Sequence, residues 1–201
     1  SSEQKPITVT FATISNPASD ETPVIEVTGD KPVDITDSYL GDVVINAGDN
    51  VLTLTNSQGE KVEVVAKDTA QIEVSQNSIQ DLKVKADESV ITENTGHTLE
   101  VDGNKNVVSG NNMESRISSK GDQNELFDNF TFGFLTSEGD GNYLYDNFAS
   151  LGIESVGDDN DIINNRTEGS LKSVGDHNDI LSNTLGGNLS SNGEHNEIAY
   201  N

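Results

Sequence analysis

The sequence predicts an all-β chain wound as a parallel β-solenoid, right-handed, with 18 residues per coil and about nine coils. Three observations carry this. Residue columns recur every 18 positions along the second half of the chain. Only 32% of the residues are apolar, a poor supply for a compact layered globule. The aliphatic residues fall in short alternating runs such as "VEVV", "IEV" and "LKVKA", which have a strand period and no helical one.

The regular repeat sets the frame. Gly121, Gly139, Gly157, Gly175 and Gly193 are 18 residues apart without a slip. Asn106, Asn124, Asn142, Asn160, Asn178 and Asn196 hold the position three residues after the glycine site, and Val108, Leu126, Leu144, Ile162, Ile180 and Ile198 lie two further on. A second asparagine column contains Asn111, Asn129, Asn147, Asn165, Asn183 and Asn201. Ile117, Leu135, Ile153, Leu171 and Leu189 form another aliphatic column, followed by Ser119, Ser137, Ser155, Ser173 and Ser191. The unit reads G-D-x-N-x-[IL]-x-x-N-x5-[IL]-x-S-x. Upstream, strand ends at Gly29, Gly48, Ala66, Ala86 and Gly103 continue it with spacings of 19, 18, 20 and 17. Residues 29–201 are therefore one solenoid, irregular over 29–102 and regular over 103–201, and residues 1–28 form an N-terminal cap or assembly segment.

A unit this short cannot hold two helices. It can close one coil of short strands that bonds to the coils above and below at about 4.8 Å. Leucine and isoleucine then stack into the core. Inward asparagines form hydrogen-bonded ladders, as in cross-β stacks, and are suited to left-handed corners. Each bond contributes only about 1 kcal/mol, but a buried amide left unpaired costs more, so the ladders penalise register slips. Glycine provides positive φ at the turn.

Charge and composition exclude several partners. A formal charge of −24 opposes binding to nucleic acid and to anionic lipid. No stretch approaches a membrane span, so no membrane insertion is expected. With no cysteine there is no disulfide framework and no thiolate chemistry, as in many bacterial extracellular proteins. The chain opens "SSEQKP" without Met, as a mature secreted product or a trimmed chain would.

The repeat resembles the parallel β-helix proteins, a class that includes polysaccharide-cleaving enzymes, adhesin stalks and phage tailspikes. The likeness covers residues 29–201 and implies the fold more than any activity. "GDDNDIINN" and "GDHNDILSN" are also similar in part to the calcium-binding nonapeptide of RTX proteins, G-G-x-G-x-D-x-U-x. Asp161 and Asp179 match its aspartate, with Ile163 and Leu181 as its aliphatic residue, but the second glycine is missing. Glu125, Tyr143 and Glu197 stand at the equivalent aspartate position in other coils, so the RTX ligand set is not carried over.

Three features are candidate sites. Asp122, Asp140, Asp158, Asp176 and Glu194 form an acidic column with neighbours about 5 Å apart, flanked by an interrupted one containing Asp161 and Asp179. A hard cation, calcium by its oxygen preference, would relieve their repulsion; the alternative is a solvated turn whose carboxylates cap local amides. No other cofactor is indicated. Phe127, Phe130, Phe132, Phe134, Tyr143, Tyr145 and Phe148 crowd two coils. Alternation turns Phe127 and Tyr145 outward, with Ile163 and Leu181 continuing the stripe, an interface on an acidic rod. The third feature is the ends. The chain stops at Asn201 within a coil, and the strand-like "ITVTFATI" is placed to cap its own first coil or pair with a neighbour.

Catalysis finds little support. Arg116 and Arg166 are the only arginines, the acids are periodic, and His97, His177 and His195 have no nucleophile pattern beside them. The expectation is a non-catalytic, extracellular structural protein. It would be a subunit or segment of a surface fibre, biofilm-type filament or adhesin stalk, with other copies of itself, head to tail, or the rest of a longer surface protein as partner. Two alternatives stay open: a calcium-stiffened adhesin module that grips a glycan or host surface, and a polysaccharide lyase or hydrolase.

Overall fold

A computed structural model describes residues 7–10, 22–29, 31–68 and 70–201. The chain is a parallel β-solenoid of about ten turns, with about 18 residues to the turn and no helix. One sheet has eleven strands, beginning at Ile7–Thr10 and Val33–Thr36 and ending at Asp179–Leu181 and Glu197–Ala199. A second stacks Val24–Glu26, Asp42–Gly48, Gln58–Ala66, Ser78–Lys85, Thr95–Asp102 and Asn112–Lys120 in that order. Beyond Lys120 its long strands divide. Phe130–Thr131 continues one half and Phe134–Glu138 the other, with Gly133 between them, and the split persists in later coils.

Every pairing is between a strand and its counterpart one coil away. Leu126 lies against Leu144, Ile162 against Ile180, and Ile117 against Leu135, so the aliphatic columns found in the sequence are vertical stacks. Leu126, Leu135, Leu144, Ile162, Leu171 and Ile180 are fully buried, and Leu189 is partly so. Each such side chain contributes roughly 1.5–3 kcal/mol of burial. Ile198, in the last coil, is 49% exposed.

The count rises above nine because residues ahead of Gly29 also coil. Ile7–Thr10 pairs in parallel register with Val33–Thr36, and Val24–Glu26 with Val44–Asn46. The rest of "ITVTFATI", from Phe11, lies outside the described residues. Two of the irregular upstream spacings meet bulges, with pairing shifting by one residue between Asn46 and Gly48 and again between Gly96 and Thr98, while the 20-residue coil pairs Gln58–Val65 with Ser78–Lys85 without a shift.

The glycine column reflects close approach as well as φ. A Cβ at Gly157 would sit 2.0 Å from the carbonyl oxygen of Gly139, and φ there is 135°. Only a residue without a side chain lets successive corners stack this tightly. The asparagine columns need one correction. The left-handed residues are not the ladder asparagines but those just before them: Asp128, Asp146, Asn164 and Ser182 ahead of one column, Gln123, Asp159, His177 and His195 ahead of the other. The kink turns the following asparagine inward, where it keeps an ordinary backbone and its Oδ1 accepts a backbone N–H from the coil before.

Candidate functional site

The solenoid presents two polar corners, an acidic edge, an aromatic flank and a charged sheet face. The corners hold the asparagine ladders, and the two differ. In the column of Asn111, Asn129, Asn147, Asn165, Asn183 and Asn201, each Oδ1 accepts both the backbone N–H and the Nδ2 of the preceding asparagine. Asn129 N and Nδ2 lie 3.1 and 3.0 Å from Asn147 Oδ1. The same Nδ2 groups also donate to strand carbonyls, as Asn147 does to Leu126 O at 2.7 Å. This ladder extends upstream through Asn94 and Asn77 to the hydroxyl of Ser57, which accepts the backbone N–H of Ser38. Sequence reasoning misses those four because their spacings are 17, 20 and 19.

In the column of Asn106, Asn124, Asn142, Asn160, Asn178 and Asn196, only the backbone N–H donates to the next Oδ1, at 2.7–2.8 Å. The amide-to-amide bond expected for both ladders is thus confined to the first.

On the acidic edge, Asp122, Asp140, Asp158, Asp176 and Glu194 follow one another up the rod. Each aspartate Oδ1 accepts the backbone N–H of the next acid in the column, at 2.7–2.9 Å. The column is therefore tied to the backbone as a ladder of caps. Among the described residues no three of His, Asp and Glu converge as a metal-ligand group. Asp161 and Asp179 are register partners on the outer face of the eleven-stranded sheet. Partial burial, then the Asp179 charge, raises the Asp161 pKa above the ordinary carboxylate value. His177 and His195 stack face to face with centroids 5.1 Å apart, which sets their ring lone pairs parallel rather than convergent.

The aromatic residues form two stacks on either side of a corner. Phe127 lies over Tyr145 at 4.8 Å, and Ile163 and Leu181 extend the same outward column. Phe130 lies over Phe148 at 4.9 Å, with Phe132 edge-on to Phe130 and the Arg166 guanidinium 5.7 Å from the Phe148 ring. Phe132 and Phe134 are the most open of the rings, 59% and 49% exposed.

The charged face is not visible in the linear sequence. On the outer side of the second sheet, Glu63, Lys83 and Glu100 share one register column, and Lys85, Asp102, Lys120 and Glu138 share the next. Sign alternates up each. Lys83 meets Glu100 at 3.1 Å, Lys85 meets Glu63 at 2.7 Å, Lys120 meets Glu138 at 2.9 Å, and Arg116 also bonds Glu100. The Lys83 hydrogen bond, with Arg116 beside it, holds the Glu100 carboxyl below its ordinary pKa. Lys83, Glu100, Asp102, Arg116, Lys120 and Glu138 line a shallow groove of about 540 Å³ with Ser118, Thr136 and Glu154.

No family model, curated protein or solved structure matches the chain.

Proposed function

We propose that the chain is a rigid, non-catalytic rod, a subunit or segment of an extracellular fibre, filament or adhesin stalk. The observation that carries this reading is the polar ladder running without a break from Ser38 to Asn201, buried in every coil from Ser38 to Asn183. A device repeated coil after coil serves the whole length of the molecule rather than one place in it. Eleven stacked strands span about 48 Å at the usual inter-strand spacing. Parallel in-register pairing also lets any coil template another, so further coils or copies stack on its terminal faces, and the aromatic flank supplies a lateral contact. The charge of −24 and the lack of cysteine suit an extracellular setting.

One observation favours a second reading, a module that grips a glycan. The groove over Glu100, Arg116 and Lys120 has the volume of a small-ligand site and sets donors beside acceptors. Electron microscopy of the purified protein at rising concentration separates the readings. The rod reading expects particles about 48 Å long that lengthen into filaments, and monodisperse short particles at every concentration would overturn assembly. Incubation with acidic and neutral polysaccharides tests the rest: retention without cleavage supports the glycan module, and new reducing ends or ultraviolet-absorbing products establish an enzyme.

A further inference from the structure

The interior holds a polar file that the ladders do not account for. Ser119, Ser137, Ser155 and Ser173 are each 0–1% exposed, stack in register, and have hydroxyls with no protein hydrogen-bond partner. Five residues on in the same coils, Asn142, Asn160 and Asn178 are equally buried, and each has a side-chain Nδ2 without a partner. Buried polar groups in folded proteins nearly always find one, since an unpaired group costs about 1–3 kcal/mol. A single unpaired atom could be local misfit. A repeated set, at equivalent positions in successive coils, points to a shared partner.

The geometry identifies that partner. Serines in register on adjacent coils are about 4.8 Å apart, too far for a direct hydroxyl-to-hydroxyl bond of about 2.8 Å. An oxygen placed midway, about 2.8 Å from each, would subtend an angle of about 120°, which suits water. The donor that completes its shell lies to hand: in the last coil Asn196 Nδ2 reaches Ser191 Oγ at 3.0 Å, so this asparagine position faces this serine position across the glycine corner. Room is available too. The same column upstream is filled by Val64, Val84 and Val101, and Ser119 pairs directly with Val101. Serine has one γ atom where valine has two, which frees about a methyl's volume beside each hydroxyl.

We propose that a file of ordered waters runs inside the solenoid from Ser119 to Ser191, one in each gap between coils. Each water bridges two serine hydroxyls, and the three beside Asn142, Asn160 and Asn178 also accept a hydrogen bond from the unpartnered Nδ2, while Asn124 Nδ2 is held by Gly103 O and Gly121 O. A buried water with about three polar partners is the ordinary case, and here the repeat multiplies it. The upstream coils carry valine in this column and lack the hydroxyls such a file needs, although Asn106 Nδ2, five residues after Val101, is also without a partner. The rod therefore has an apolar and a hydrated segment, and the change falls between Val101 and Ser119.

A crystal structure of the whole chain, at a resolution that shows ordered solvent, tests this together with Ser155→Val. The variant puts into one coil the residue that Val84 and Val101 already supply in others, so it preserves the fold. The expected result for the parent is a water peak in each of the four gaps, about 2.8 Å from both hydroxyls. In the variant the two gaps flanking residue 155 lose their peaks and the other two keep them. The proposal is overturned if the gaps carry no density and Asn142, Asn160 and Asn178 bond Ser137, Ser155 and Ser173 directly. It is equally overturned if the peaks beside residue 155 survive the substitution.

Discussion

Asp161 shows how stacking turns an ordinary surface residue into an electrostatic burden. Register places it against Asp179, and its carboxyl is partly withdrawn from water between Tyr143 on one coil and Asp179 on the next. Both effects favour the protonated form, so the folded-state pKa lies above the unfolded one. The linkage follows in sign. This residue's stability contribution is largest below the unfolded pKa and is lost as pH rises through the folded value. Asp161→Asn should therefore stabilise the protein at neutral pH. The carboxyl remains partly solvated, so the gain stays below about 1 kcal/mol. Paired denaturation curves of parent and variant check it: the difference should be present at pH 7 and close as the pH falls below the ordinary carboxylate value. A variant that is less stable at neutral pH would show that Asp161 is held by an attraction, such as a bound cation, stronger than the repulsion described.

The ladders make the coil the unit of stability. Asn147 lies at the centre of four bonds: its Nδ2 reaches Leu126 O at 2.7 Å and Asn165 Oδ1 at 2.9 Å, and its Oδ1 accepts from Asn129 N and Nδ2. Asn147→Ala strands buried donors and acceptors on both neighbouring coils and should cost about 3 kcal/mol. Asn160 makes one bond of this kind through its Oδ1, so Asn160→Ala should cost only about half as much. Urea denaturation of the two variants measures the difference, and equal costs would mean that the two corners bear the same load. The sequence displayed these columns wherever the period was strict, which is why Leu126 and Leu144 could be placed on one stack and Asn129 and Asn147 on another in advance. It hid the upstream members Ser38, Ser57, Asn77 and Asn94, because their intervals of 19, 20 and 17 share no fixed period. It hid the charged face for a related reason. Lys83, Glu100 and Arg116 are 16 or 17 residues apart, and only the coil closure brings them together. The divergence of the two asparagine ladders was also out of reach, since identical residues at the same period differ only in which way the amide turns.

At the scale of the whole molecule, the same stacking that aligns the core aligns the charge. A protein of −24 cannot disperse its carboxylates when register sets Asp122, Asp140, Asp158 and Asp176 one above another at about 5 Å. Each backbone amide in that column satisfies one carboxylate oxygen, but an amide carries no net charge and the repulsion along the edge persists. The lysine and arginine pairs on the second sheet offset it only locally, because the screening length is less than about twice the coil spacing at physiological salt. The folded rod should thus gain from added electrolyte. Its melting temperature is expected to rise by several degrees between about 20 mM and about 0.5 M sodium chloride, as the Debye length falls towards the carboxylate spacing. Because one oxygen of each acid in the column below Glu194 is engaged as a cap, magnesium and calcium at equal concentration should raise it alike. A markedly larger shift with calcium would mean that the column selects its cation by coordination, and would move the protein towards the calcium-stiffened form of the adhesin reading.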